Sequence, residues 1–535
     1  MQNYMGFRRL FNAKVQLITL NTVLVIILLA IAACDYEEAP FLVQESNTMM
    51  SAPMQDTSDC GYQPSESTLT NEWLSVEERV LGLSIIWRKV ADMSPFLASQ
   101  PEGFDWNDLY FEYMTKVINA QSLMEYYDIL SRFVASLEDG KSVVQPPIGD
   151  GMYAFPIGVR YIEDNFIVVA SHQDYTAIPI GSKIIYVNGV SPHDFVEQNF
   201  GSRFGNRTPS VRENSLAQFF TADTQRSTMT LEALTPEGET ITEKISFYPI
   251  SEELMATISQ MKQLDRRPHL QYATPVEHGA FVQVHEGGIH HISLLTFGNP
   301  TMPEAVRQYI EDTADTAKGF IIDIRGNGGG TGDLVILSQF ADPRDFATVR
   351  AYMQVRDVGA MTLGSIIKMA ERGEVVLSDE IFDMIINGHS AIDGRNMLES
   401  RHLEEIYDFG ETEMWNVDLL YEQSLRLFDV PIVILADYNS ASASESFVVS
   451  AQGVNNFTIM GTNTTGMAGD TPFFPLPGGG FLSLNVTKQL TPEGQIINNH
   501  GIMPDIWVSQ NLADILEGVD TQLVAALEYL SEKLK

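Results

Sequence analysis

Two scarcities limit what this 535-residue chain can be: it has few cysteines and few positive charges. Its two cysteines, Cys34 and Cys60, exclude a disulfide framework and any metal site built from several cysteines. There are 33 lysines and arginines against 70 aspartates and glutamates, so the formal net charge is −37. Because a polyanion would be repelled, this charge excludes nucleic acid as a partner. An acidic surface could favour cationic substrates, although it is also typical of a chain that needs solubility.

Several common functional motifs are also missing. The sequence has no P-loop, no GxGxxG opening a helix, no HExxH and no internal repeat. Nine of the ten histidines, including the pair His290 and His291, fit no metal-ligand spacing, and the tenth, His500, is considered below. We therefore predict neither a metal nor a cofactor.

The N-terminus has the layout of a secretory signal. An apolar segment, residues 15–33, follows three basic residues, Arg8, Arg9 and Lys14. The sequence IAAC, which ends at Cys34, resembles a bacterial lipobox. This resemblance implies a signal peptide over 1–34, a lipid anchor on Cys34, and a folded part on the periplasmic side or at the cell surface. A plain signal anchor is the alternative, because the apolar run is nearly long enough to span a bilayer. Residues 35–70 are polar and lack periodicity, which predicts a flexible tether.

The periodicity of the apolar residues divides the rest of the chain. Steps of three and four residues predict an N-terminal helical domain over 71–148. β-rich runs separated by turn signals predict a β module over 149–250, followed by a connector over 251–277. Alternating strands and helices over 278–535 predict a layered α/β core. Within that core, the acidic and methionine-rich stretch 350–429 is predicted as an insertion.

A glycine-rich turn, DIRGNGGGTGD (323–333), follows the fully apolar strand predicted from GFIIDI. Glycines at the end of a strand leave backbone N–H groups free to bind a phosphate or an oxyanion. No lysine followed by serine or threonine completes a phosphate site here. A plain connector is the remaining alternative.

A second turn, SASASE (440–445), joins the predicted strand VPIVILAD to the predicted helix SFVVSAQGV. Small residues permit a sharp strand-to-helix turn, which can present a serine hydroxyl at a helix N-terminus as a nucleophile. The alternative is that these serines only cap the helix.

Taken together, these segments resemble a known family. RGNGGG, ADYNSASASE and NNHGIMPDIWV follow the order found in C-terminal-processing (tail-specific) serine peptidases and the related tricorn-type peptidases, and LEDGKS and IPIGSKIIYVNGV extend the match upstream. The resemblance implies a ClpP/crotonase-like α/β core with a PDZ-like β module and an N-terminal helical unit. It implies a peptide or unfolded-protein substrate and Ser442 as the nucleophile. The oxyanion hole would use the N–H of Ala443 and that of Gly328 or Gly329.

The positions that supply the base in this family have changed. Met467 stands where one branch of the family carries a lysine, and Lys141 and Asn498 stand where the other carries its histidine and glutamate. We consider three hypotheses: Lys141 is a relocated base in a Ser–Lys dyad, His500 is the base, or the protein is an inactive pseudopeptidase that binds peptides or an apolar ligand. The first hypothesis predicts a buried Lys141 within hydrogen-bond reach of Ser442.

Overall fold

The computed structural model describes residues 74–147, 153–171, 175–205, 228–249, 267–347 and 430–535, with the short stretches 212–214, 217, 222–223, 262–263, 349–354 and 406–408. The predicted signal peptide, the Cys34 anchor, the tether and most of the predicted 350–429 insertion lie outside these residues. In the described part of the chain, no helix has the length and apolar character needed to cross a bilayer.

The helices come in chain order: α1 (Val76–Met93), α2 (Trp106–Asn119), α3 (Leu123–Ala135), α4 (Pro192–Phe200), α5 (Met302–Thr313), α6 (Asp333–Leu337), α7 (Ala443–Gln452), α8 (Leu512–Leu516) and α9 (Thr521–Lys533). The strands of the first half are β1 (Val143–Gln145), β2 (Tyr153–Ala154), β3 (Ile157–Ile162), β4 (Asn165–Ser171), β5 (Lys183–Val187), β6 (Ala222–Asp223), β7 (Thr228–Leu234), β8 (Thr240–Ser246), β9 (Tyr248–Pro249), β10 (Lys262–Gln263) and β11 (Thr274–Glu277). Those of the second half are β12 (Ala280–His285), β13 (Ile289–Leu294), β14 (Gly319–Asp323), β15 (Arg350–Gln354), β16 (Ile406–Asp408), β17 (Ile432–Ala436), β18 (Phe457–Gly461), β19 (Phe473–Pro475), β20 (Phe481–Ser483), β21 (Thr487–Leu490) and β22 (Ile506–Trp507).

The first three helices begin at side-chain caps. Ser75 and Glu78 form a reciprocal capping box at α1, while Asp105 and Ser122 cap α2 and α3. The apolar faces of these helices share a core with residues from far along the chain, including Leu476 and Leu482. Strand β1 pairs with β20, and β20 with β19. The N-terminal helices are thus fixed to the C-terminal half of the chain directly after position 141.

The β module is built from hairpins and one helix. Its main sheet has the order β10-β4-β5-β7-β8, and β3 pairs with β4. Glu163 and Asp164 turn the β3–β4 hairpin with φ of 48° and 59°, the left-handed conformation required by a tight two-residue hairpin turn. Ser191 caps α4, which packs its apolar face on the sheet.

The α/β core is a sheet with the order β11-β12-β13-β14-β17-β18-β22. The strands from β13 to β22 are parallel, and α5 and α7 connect neighbouring strands. Alternate residues of β14 pack on opposite faces: Phe320 and Ile322 face α5 and α7, and Ile321 faces α9. Because both faces are covered, the strand is apolar throughout. The predicted layered α/β fold is confirmed.

One boundary differs from the prediction. The stretch 251–277, predicted as a connector, supplies β11, which pairs with β12 at the edge of the core sheet. A four-residue edge strand with the sequence TPVE carries too little periodicity to be recognised. The carboxyl ends of β14 and β17 are adjacent, so the glycine-rich turn and the SASASE turn meet at one edge of the sheet.

Candidate active site

Ser442 lies in a sharp turn between β17 and α7. Its φ of 58° and ψ of −119° are unusual for a residue with a side chain. Ser442 is the N-cap residue of α7, yet its side chain makes no capping hydrogen bond. The structure therefore presents this hydroxyl instead of using it as a cap, and the strained backbone is of the kind found at functional sites.

The other two serines of the motif hold the turn together. Ser440 Oγ donates to the carbonyl of Ile324 at 2.9 Å and accepts from the N–H of Asp437 at 3.0 Å. Ser444 Oγ donates to the carbonyl of Asn327 at 2.8 Å. Both serines are fully buried. Ser442 is thus the serine of the triplet that is left for chemistry.

Asn327 organises the glycine-rich turn beside Ser442. Its carbonyl also accepts from the N–H of Ala441 at 3.0 Å, and its side-chain amide donates to the carbonyl of Leu294 at 3.0 Å. Gly329 packs against the serine turn so closely that a Cβ built on it would lie 2.7 Å from Ser442 Cβ. The position also has a φ of 105°, so glycine is required there.

The structure distinguishes the predicted oxyanion donors. The N–H of Gly329 donates to Asn327 Oδ1 at 2.8 Å and is not available to an oxyanion. Among the described residues, the N–H groups of Gly328 and Ala443 have no hydrogen-bond partner. Of the two glycines that the sequence left open, Gly328 is therefore the candidate.

Lys141 reaches Ser442 from the N-terminal helical unit. Its Nζ lies 3.0 Å from Ser442 Oγ and also donates to the carbonyl of Gly469. The loop before β1 is held in place by Asp139, which accepts from the N–H and the hydroxyl of Ser142 at 2.8 and 2.6 Å. The pairing of β1 with β20 continues this anchoring. Two segments 301 residues apart in sequence thus meet at one hydrogen bond.

Burial sets the protonation of Lys141. Removal from water lowers the pKa of its ammonium from the ordinary value, and the charges of Asp470, Glu445 and Asp139 oppose this shift, in that order. A lowered pKa makes the neutral amine, which can accept a proton, available at lower pH.

The other positions considered for the base have structural roles. Met467 packs against the apolar core of the β module. Asn498 accepts from the N–H of Gln489 at 2.6 Å and donates to the carbonyl of Ala468 at 2.8 Å. His500 is exposed, and its Nδ1 lies 2.9 Å from the carbonyl of Asn498.

Glu445 is a site residue that the sequence did not single out, although it ends the SASASE motif. It is fully buried, and burial raises the pKa of its carboxyl to about 7. Its Oε1 accepts from Thr464 Oγ1 at 2.8 Å and from the N–H of Gly466 at 2.7 Å. Glu445 therefore ties the nucleophile's helix to the loop whose Gly469 carbonyl holds Lys141.

A second group of polar residues lies buried under the core sheet. Ligand atoms of His269, His291 and Asp323 lie within 4.8 Å of one another. Asp323 also accepts from Arg325, at 2.6 Å for the closest contact, and Arg325 pairs with Asp520 at 2.7 Å. Because the Asp323 carboxylate is already ion-paired with the Arg325 guanidinium, this group is better described as a charge network than as a metal centre. It was missed because His269 lies in the predicted connector.

Comparisons with known proteins find similarity to peptidases in the part of the chain that carries both turns. Residues 288–508 match the model of peptidase family S41. A carboxyl-terminal-processing protease of Synechocystis sp. is 36% identical over 106 residues, which are 19% of this chain and 25% of that protein. A carboxy-terminal-processing protease of Bartonella bacilliformis is 38% identical over 93 residues, 17% of this chain and 21% of that protein. The aligned parts thus span about a quarter of these relatives.

Among solved structures, mature CPAF matches with a TM-score of 0.62 and 17% identity, covering 86% of this chain and 98% of that one. A likeness at this identity concerns the fold. The resemblance to the C-terminal-processing serine peptidases is therefore confirmed, and it rests on residues 288–508, the region of this chain that is similar to peptidase family S41.

Proposed function

We propose that this protein is a serine endopeptidase with a Ser442–Lys141 dyad. The observation that carries the proposal is the 3.0 Å distance between Lys141 Nζ and Ser442 Oγ, in a setting that lowers the pKa of the lysine. This is the arrangement that the relocated-base hypothesis requires. A lysine base also needs no carboxylate to orient it, in keeping with an asparagine at position 498.

Acylation follows from these positions. Neutral Lys141 takes the proton from Ser442 Oγ as the oxygen attacks the peptide carbonyl. The oxyanion that forms is stabilised by the N–H groups of Gly328 and Ala443, and losing one such donor typically costs ~3 kcal/mol of barrier. The ammonium of Lys141 stays in place through the Gly469 carbonyl and the negative charge of Asp470.

The same lysine completes the cycle. Its ammonium gives the proton to the leaving amine, which departs and leaves an ester on Ser442. Neutral Lys141 then takes a proton from water, whose oxygen attacks the ester, and the returned proton frees the serine.

The proposal includes a location and a substrate class. The N-terminal sequence supports a lipid anchor on Cys34, with the folded part outside the cytoplasm. The relatives are carboxyl-terminal-processing proteases, which supports peptides or unfolded protein tails as substrates.

Mass spectrometry tests the reaction directly. Separate samples of the purified protein are incubated with a fluorophosphonate or with unfolded casein, beside Ser442→Ala and, as a matched control, Ser444→Ala. The expected result is one phosphonyl adduct on Ser442 and casein fragments, both lost in Ser442→Ala and kept in Ser444→Ala. An unmodified Ser442 with intact casein would favour the binding protein without catalysis.

A further inference from the structure

A cavity of about 540 Å³ lies beside the active-site turns, between the β module and the core. The β3–β4 hairpin forms one wall with Tyr161 and Asp164, and Glu213 adds to it. The opposite wall is the carboxyl edge of the core sheet, with Asp437, Tyr438 and Trp507. Asp437 begins the turn that carries Ser442, so the cavity and Ser442 lie at the same edge of the core sheet.

Two of the three arginines that line this cavity are already engaged. Arg325 pairs with Asp323 and Asp520, and Arg267 donates to the carbonyl of Arg325 at 2.6 Å. The third arginine of the lining, Arg160, also has a partner, and its Nε and Nη1 are buried without a hydrogen bond to any described residue. Arg267 and Arg325 are therefore committed to the protein, whereas four carboxylates line the cavity, those of Glu163, Asp164, Glu213 and Asp437.

Several acceptors of the cavity are not engaged. Among the described residues, Glu213 Oε2, Thr462 Oγ1 and Gln510 Oε1 are buried without a hydrogen-bond partner. The side chain of Thr462 is only 3% exposed. Buried acceptors without partners are costly, so this arrangement favours a ligand that brings donors.

The aromatic part of the wall favours a cation. The rings of Tyr438 and Trp507 lie edge to face with centroids 6.3 Å apart, and Trp507 is half exposed. An indole face attracts an ammonium or a guanidinium. The net charge of −37 would also draw a cationic ligand toward the protein.

We propose that this cavity binds a basic side chain, arginine or lysine, of a peptide. The carboxylates of Glu213 and Asp164 and the hydroxyl of Thr462 accept its N–H groups, and Trp507 covers its apolar stem. The identification of the ligand as a peptide rests on the proposed function, whereas the preference for a cation rests on the cavity alone.

Calorimetry tests the preference in a variant that cannot turn over substrate. Full-length Ser442→Ala protein is titrated with Ac-Ala-Arg-Ala-NH₂, with the same peptide carrying neutral, isosteric citrulline, and with Ac-Ala-Glu-Ala-NH₂. We expect the arginine peptide to bind on the order of tenfold more tightly than the citrulline peptide. Glu213→Gln should remove that difference, and Glu311→Gln, which removes one charge from the exposed side of α5, should preserve it.

A second readout guards against misfolding of the Glu213 variant. The arginine peptide should change the tryptophan fluorescence of the Ser442→Ala protein, and Trp507→Phe should abolish this change. Equal affinity for arginine and citrulline, tighter binding of the glutamate peptide, or no binding would overturn the proposal. So would unchanged affinity in both Glu213→Gln and Trp507→Phe. None of these results bears on phosphonylation of Ser442, so the two proposals fail separately.

Discussion

Replacing Gly329 by alanine should slow the chemistry at Ser442 although both residues of the dyad are kept. The new Cβ would lie 2.7 Å from Ser442 Cβ and 3.0 Å from both the Ala441 carbonyl oxygen and the Ala443 nitrogen. Carbon atoms normally approach to ~3.5 Å, so the two turns must separate by about 0.8 Å. A shift of that size can cost ~100-fold in rate. The positive φ of 105° adds a cost of about 1–3 kcal/mol to folding.

The assay is the rate of fluorophosphonate labelling, with urea unfolding measured on the same samples. Gly332→Ala is the matched control, because it lies in the same turn with an ordinary φ of −94° and its Cβ would contact only the ring of Pro303 below 3.4 Å. We expect Gly329→Ala to label roughly 100-fold more slowly than Gly332→Ala. Equal labelling rates in the two folded variants would refute the claim that the glycine turn sets the position of the nucleophile.

Three further predictions concern neighbouring polar groups. Asp470→Asn removes the largest electrostatic attraction on the Lys141 ammonium, so the pKa of the lysine should fall. The rise of the labelling rate with pH should then occur at lower pH than in the wild type. A rise at the same pH would contradict this electrostatic coupling. Ser444→Ala loses the 2.8 Å hydrogen bond to the Asn327 carbonyl, so the free energy of unfolding should drop by about 1 kcal/mol. Fluorophosphonate labelling of Ser442 should persist. Loss of labelling in a folded variant would contradict the assignment of Ser442 as the nucleophile. Burial raises the pKa of Asp333 to about 7, so the folded state holds this proton more tightly than the unfolded state, and stability should fall as pH rises from about 4 to 7. Asp333→Asn should reduce the difference between the free energies of unfolding at pH 5 and pH 8, measured with urea. An unchanged difference would contradict this role of Asp333.

The core of the site could be predicted because its signals are local. The apolar strand before the glycine-rich turn and the one before the SASASE turn are buried on both faces, and such strands are recognisable from sequence. Parallel strands place their carboxyl ends at one edge, which brings the two turns together. The proximity of Lys141 to Ser442 came from the family resemblance, because no local pattern links positions 301 residues apart.

What the sequence did not reveal depends on contacts between distant segments. Asn327 determines which glycine N–H remains available, and this follows only from where its side-chain oxygen points. Leu476 and Leu482 complete the core of the N-terminal helices from the other end of the chain. The role of Asp470 likewise depends on the loop that brings it close to Lys141.

The most direct test of the account is the pH dependence of Ser442 labelling, measured in the wild type, in Lys141→Met and in Lys141→Arg. Because burial lowers the pKa of Lys141, we expect the wild-type rate to rise with pH and to level off below the ordinary lysine pKa of 10.5. Both variants should lose this rise, since methionine cannot accept a proton and arginine stays protonated. A wild-type rate that is insensitive to pH, or Lys141→Met protein that labels as fast as the wild type, would contradict the Ser442–Lys141 dyad.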